Sequence, residues 1–361
     1  MGSYCVWAGF RPGFFIANIH MSRVLLGCIL LLVLGSSAPA DVIESGNFVE
    51  HVELLRDKTF AKDSNQYQIP TAQQRSTLAN AATALLAGDL ATAETIANGI
   101  QYEVVSYTDN VTGKTYRGLR EENNMPTRGW GSYFVDLNAS QEALIQAPHP
   151  RFDTNSWEIA ALAFRDSGAR AFMMAGAHRN ANGQGTADVA HLAESVFQEI
   201  HEAWVGNNGE RTTWSIHGFD LDNHNFPAGT DAVLSNGDGG VSSEIINLDT
   251  LLDGAGFDSY AYNTLDVNDP DNVAVNEAVL GTTFSSLGGT TNVQGVYARG
   301  LGGTFVHVEL EQSIRFDSTN RTIAANAISS AIVGVPEPSG ILLVCAGLVW
   351  VGLCRRIRTA N

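Results

Sequence analysis

Cysteine is missing from the whole stretch between residues 29 and 344; its four copies, Cys5, Cys28, Cys345 and Cys354, all lie in the terminal segments. The body therefore has no disulfide framework and no thiolate nucleophile, and any metal must be held by histidine and carboxylate. Basic residues are also scarce: 21 Lys and Arg stand against 38 Asp and Glu, for a net charge of −17. Nucleic acid as a partner is excluded on that ground, because a phosphate-binding surface needs clustered cations. No G-x-S-x-G elbow, Walker loop or dinucleotide fingerprint occurs. The glycine-rich stretches Gly237-Asp238-Gly239-Gly240 and Gly300-Leu301-Gly302-Gly303 lack those spacings and read as loops. Long apolar runs are confined to the ends, Val24–Leu34 and Gly340–Cys354, and both are shorter than the roughly 20 residues that span a bilayer core.

What is present at the ends reads as sorting information. Met21-Ser22-Arg23 is a short positive n-region, Val24–Leu34 an apolar h-region and Ala38-Pro39-Ala40 an A-x-A cleavage site. Residues 1–40 are thus expected to be a signal peptide region, with translation starting at Met21. At the other end Pro336-Glu337-Pro338 breaks any regular element, an apolar run follows, and Arg355-Arg356-Ile357-Arg358 closes the pattern. Residues 335–358 resemble the PEP-CTERM sorting tail of Gram-negative bacteria. That resemblance implies a transient membrane anchor, an exosortase-type processing enzyme as partner, and an exported protein of the cell envelope or extracellular matrix.

The remaining body of roughly 290 residues is ample for one large domain. Residues 41–137 divide into a helical lead-in and a β-hairpin. Phe48–Leu55 is amphipathic, and Thr71–Leu86 follows Pro70 with an apolar face at Leu78, Ala82, Leu85 and Leu86. Leu90–Ile96 resumes the helical pattern after Gly88-Asp89. The period then changes to two in Tyr102–Tyr107 and Thr115–Leu119, around a turn-rich connection.

From residue 138 to 333 apolar runs alternate with helical stretches. Ala143–Ala147 precedes Pro148-His149, Ala171–Ala175 precedes His178-Arg179, Thr212–Ile216 precedes His217-Gly218, and Thr304–Leu310 contains His307 and Glu309. Trp157–Phe164 and Val189–Trp204 read as intervening helices. This alternation predicts an α/β fold, a three-layer sandwich with a mostly parallel central sheet, whose ligands bind beyond the carboxyl ends of the strands.

His149, His178 and His217 each follow a strand, so the fold can bring them to one rim, and convergent histidines suggest zinc. Either Glu158 or Asp153 can complete a ligand set with His149; Glu158 is preferred because it projects from the first turn of the next helix. Asp188 and His191, three residues apart on a helical stretch, read as solvated surface, as a further metal pair or as groups orienting a ligand. Glu309 and Glu311 share a strand face, and Arg315 is expected to pair with Glu311 or to contact an anion.

The order of strand and His with a nearby acid, Gly176-Ala177-His178-Arg179, strand and His217-Gly218, and late Val308-Glu309-Leu310-Glu311 resembles the zinc carboxypeptidase and N-formylglutamate amidohydrolase group. The resemblance is one of arrangement over residues 140–332. It implies one zinc ion held by His149, Glu158 (alternatively Asp153) and His217, with Glu309 as general base and Arg179 pairing a substrate carboxylate. The first His and Glu are not two residues apart as in carboxypeptidases, which leaves Asp153 available. The expected activity is hydrolysis of an amide bond in a peptide or N-acyl amino acid. The contrasting expectation is a non-catalytic surface or matrix protein, including a degenerate hydrolase fold used for binding.

Overall fold

The computed structural model describes residues 42–206, 209–263, 279–280 and 286–334; residues 1–40 and 335–358, expected to be a signal peptide region and a sorting tail, lie outside them. No helix among the described residues is long and apolar enough to cross a membrane. The strands are β1 (Val42–Gly46), β2 (Tyr102–Asp109), β3 (Thr115–Glu121), β4 (Ser132–Val135), β5 (Gln141–Ala147), β6 (Ala169–Met174), β7 (Thr212–Gly218), β8 (Ala232–Ser235), β9 (Ser259–Asn263), β10 (Val279–Leu280) and β11 (Phe305–Leu310). The helices are α1 (Phe48–Lys58), α2 (Ala72–Leu86), α3 (Leu90–Asn98), α4 (Ser156–Ser167), α5 (Val196–Val205), α6 (Ser243–Gly254), α7 (Val293–Gly300), α8 (Gln312–Phe316) and α9 (Ser318–Gly334).

The strands form one sheet in the order β1-β2-β3-β4-β6-β5-β7-β11-β8-β9-β10. Its centre, β6-β5-β7-β11, is wholly parallel, and these are the four apolar runs that precede or carry ionisable residues in the sequence. They are buried along nearly their whole length, as strands covered on both faces must be. Helices α1, α4, α6 and α9 pack on one face around Phe48, Phe164, Ile328 and Val308. Helices α2, α3, α5 and α7 pack on the other around Leu78, Leu85, Phe197 and Trp204. The fold is therefore the expected α/β sandwich of three layers. The lead-in and hairpin of residues 41–137 are not apart from it, since β4 pairs antiparallel with β6 and extends the same sheet.

Local chemistry sets the element ends. Thr71 and Gln74 close a reciprocal capping box at the start of α2. Ser195 caps α5 by accepting from the Gln198 amide, so the helix begins seven residues later than the apolar spacing from Val189 predicts. The segment before it is a run of turns through Asn180, Gly183 and Gly185.

One buried polar bridge on the α5 face has a pH consequence. His201 Nε2 donates to the Gln294 carbonyl at 3.1 Å, and its Nδ1 accepts from Gln146 Nε2 at 3.0 Å. Burial disfavours the cation and brings its pKa down to about 3 from the ordinary 6.5. The unfolded chain takes up this proton as pH falls through 6.5 and the folded chain does not. The stability contribution is complete above pH 6.5 and is lost below it, by about 2 kcal/mol at pH 5. Urea unfolding at pH 7.5 and pH 5.0 is expected to show a drop in stability that shrinks by this amount in His201→Gln. An unchanged drop in the variant rules the assignment out.

Candidate metal centre

The chain enters β6 from β5 through α4 on one face of the sheet, then returns past β5 to β7 through α5 on the other. The crevice at such a reversal, outside the carboxyl ends of the strands, is where open α/β sheets bind ligands. His149 lies just beyond the end of β5, and His217 is the penultimate residue of β7. Their rings sit 4.8 Å apart, at the floor of a cavity of about 670 Å³.

A single helical turn brings the acid to them. The Asp153 amide donates to the His149 carbonyl at 2.9 Å, and this i, i+4 relation places the carboxylate beside the ring it follows. Asn155 then adopts a left-handed conformation, φ 66°, which asparagine tolerates, and α4 starts afresh at Ser156. Glu158 consequently belongs to the first turn of a helix that leads away from the cavity. Its carboxylate is paired with Arg321 of α9 at 2.8 Å, and it is not among the grouped donors. Asp153 stands in the place that the first-turn argument gave to Glu158.

Asp153 Oδ2 lies 3.2 Å from His149 Nδ1 and 3.1 Å from His217 Nδ1. The second ring nitrogens are held from behind: His149 Nε2 lies 2.7 Å from Asp188 Oδ1, and His217 Nε2 lies 3.1 Å from Ser215 Oγ. Fixing the far nitrogen in this way orients a metal-binding imidazole and sets its tautomer. His149, Asp153 and His217 can hold a metal ion, as their donor atoms lie within 4.8 Å of one another. Neighbouring donors of a tetrahedral zinc site are roughly 3.3 Å apart, given bonds of about 2.0–2.1 Å, and the two separations to Asp153, 3.2 and 3.1 Å, fit that spacing.

A second group, His217, His307 and Glu309, adjoins the first within the same 4.8 Å limit. His307 and Glu309 occupy one face of β11 while Val306, Val308 and Leu310 enter the core on the other. His307 Nε2 is 3.7 Å from Glu309 Oε1. Two buried atoms here, His307 Nδ1 and Glu309 Oε2, have no hydrogen-bond partner. Orphaned buried polar atoms are rare enough to need a reason, and both residues line the cavity.

The electrostatics follow from the burial. Burial opposes a charge on His149, but Asp153 and Asp188 on either side outweigh it and raise the pKa to about 9. Asp153 and Asp188 are held well below the usual carboxylate range, since both histidine contacts and, for Asp188, Arg179 overcome the cost of burial. His217 and His307 are pushed down by burial, and His307 also by the neighbouring His217. Glu309 is pushed well up by burial and then by Asp153.

The structure groups His149, Asp153 and His217, and beside them His217, His307 and Glu309. It places Arg179 at the cavity wall, where the guanidinium pairs with Asp188 and lies 5.0 Å from the ring of Phe152. His178 stays outside the grouped donors; its Nδ1 accepts from the Asn180 amide. Asp188 was legible only as an alternative. It is 3% exposed and lies in turns rather than on a helix. Glu311 caps α8 instead of pairing with Arg315.

No protein-family model and no curated protein matches the chain. Among solved structures it is similar to a gene product of Agrobacterium tumefaciens, Atu2144, at 11% identity over 55% of this chain and 92% of that one, with a TM-score of 0.35. It is also similar to a bacteriophage poly-gamma-glutamate hydrolase, at 14% identity over 55% of this chain and 87% of that one, with a TM-score of 0.29.

Proposed function

We propose that the protein is an exported zinc-dependent hydrolase of an amide bond in a peptide or N-acyl amino acid. The observation that carries this reading is the convergence of two imidazole Nδ1 atoms on one Asp153 oxygen, each ring braced on its far side by Asp188 or Ser215. A surface scaffold has no need of such an arrangement in a crevice, nor of an unpartnered carboxylate oxygen beside it. Zinc, when bound, lowers the pKa of a coordinated water toward neutrality and polarises a carbonyl oxygen.

The chain's own groups have distinct tasks. His149, Asp153 and His217 hold the ion, and Asp188 and Ser215 orient the two rings. Glu309, a cavity-lining residue whose buried Oε2 has no hydrogen-bond partner, takes the proton from the attacking water and delivers it to the leaving nitrogen. Arg179 offers donors not used by Asp188 to a substrate carboxylate, which its planar fork matches. Aromatic side chains Phe152, Phe219 and Phe316 wall the same cavity and shield the reacting bond from bulk water. Export, the exosortase-type partner and an envelope or matrix setting rest on the terminal segments of the sequence.

Metal analysis of the purified chain after exposure to Zn²⁺ and removal of excess is expected to give one equivalent of zinc. Uptake below about a tenth of an equivalent overturns the reading, because a site with two histidines and a carboxylate retains zinc through such a wash.

A further inference from the structure

Arg315 of α8 sits where three site-bearing segments meet, and all of its hydrogen bonds go to backbone carbonyls. Nε donates to Leu310 at 2.8 Å, Nη1 to Thr154 at 2.8 Å and Nη2 to Phe219 at 2.7 Å. Thr154 follows Asp153, Phe219 lies two residues beyond His217, and Leu310 follows Glu309. One guanidinium thus joins the loop carrying the acid, the end of the strand carrying the second histidine, and the strand carrying the glutamate. A return bond runs from Asn155 Nδ2 to the Arg315 carbonyl at 2.9 Å. The side chain is 4% exposed, so these bonds are sheltered from exchange with water.

We infer that Arg315 is a positioning residue, a three-way clamp that sets the relative placement of Asp153, His217 and Glu309. Its consequence for metal affinity rests on the zinc reading above; its consequence for the backbone does not. The planar fork is what permits the role: a lysine ammonium is a single point on a flexible stem and cannot meet three carbonyls in these fixed directions. Gly218 is the clamp's counterpart. A Cβ at Gly218 would lie 2.2 Å from Arg315 Nε and 2.6 Å from Cζ, so any side chain there displaces the guanidinium.

The test uses the full chain and two readouts. The first is hydrogen exchange of the metal-free protein at the amides of Ser156, Phe219 and Glu311, each of which donates a backbone hydrogen bond beside the clamp. Amides of β6 serve as the internal reference. The second is the zinc dissociation constant, by competition with a chromophoric chelator. In Arg315→Lys all three amides are expected to exchange faster while β6 is unchanged, and zinc affinity to fall about 10–100-fold, the usual scale for losing an orienting partner. Gly218→Ala is expected to move both readouts the same way. In an Arg315→Met background the alanine adds little, since its effect passes through the missing guanidinium.

Exchange that rises equally in β6 marks general destabilisation and overturns the clamp; so does exchange that rises at Glu311 alone. Zinc affinity within about twofold of the parent in both Arg315→Lys and Gly218→Ala overturns its role toward the metal. If the parent takes up no zinc, the metal reading fails, and the exchange pattern alone decides the clamp.

Discussion

Replacing Glu309 by glutamine is expected to lower kcat about 10²–10⁴-fold while leaving zinc at one equivalent and the fold intact. The substitution keeps the shape of the side chain and removes only its ability to accept a proton from water. Glu309 suits that task because it lines the cavity and its buried Oε2 has no hydrogen-bond partner. In the metal-free chain burial and the nearby Asp153 push its pKa well up. The same burial makes a neutral amide easier to accommodate than an ionised carboxylate, and the melting temperature of the metal-free variant is expected to equal or exceed that of the parent. Turnover of an N-acyl amino acid, zinc content and thermal unfolding together check the claim. Loss of zinc with loss of rate would instead make Glu309 a ligand alongside His217 and His307, the second group that the geometry permits. A rate within about tenfold of the parent removes the general-base role altogether.

The central sheet was legible because its strands are buried on both faces and so appear as unbroken apolar runs bounded by polar residues. Alternation with helices then implied parallel pairing, and β5, β6, β7 and β11 are indeed neighbours. Ionisable residues placed after such runs had to collect at one edge, which is why His149 and His217 could be named from position, whereas Glu309, inside β11, stood out by its strand face and by the family resemblance. The acid could not be settled that way. Whether Asp153 or Glu158 faces the rings depends on where the helix begins, and that is decided by a left-handed Asn155 and by Arg321, about 160 residues away in sequence. Asp188 was obscured for a related reason. Apolar spacing from Val189 to Trp204 suggests a continuous helix, but the Ser195 cap starts it late, and the freed turns carry Asp188 under His149. For Arg315 the sequence suggests an ion pair with Glu311 or an anion contact because charge is visible in sequence, whereas its side-chain partners are carbonyls, which every residue has.

Substituting alanine for Asp153 is expected to abolish zinc retention and also to destabilise the metal-free protein, by about 3–5 kcal/mol, the range for breaking a buried pair by removing one partner. The two effects have one source. In the absence of metal, Asp153 lies between His149 and His217 and, with Asp188, raises the pKa of His149 to about 9. Alanine leaves a buried imidazolium with Asp188 as its remaining carboxylate and leaves His217 Nδ1 without its partner. The loss therefore falls toward the lower end of that range if Asp188 holds the charge alone, and toward the upper end if His149 gives up its proton. Glu158→Gln supplies the contrast, since Glu158 is committed to Arg321 at the partly exposed junction of α4 and α9. That variant is expected to keep its zinc and to lose no more than about 1 kcal/mol, as for other solvent-accessible ion pairs. Urea unfolding at pH 7 and zinc content, measured on both variants, separate the candidates directly. If Asp153→Ala keeps its zinc while Glu158→Gln loses it, the turn from His149 to Asp153 is not the metal-binding element, and α4 must shift to bring Glu158 to the rings.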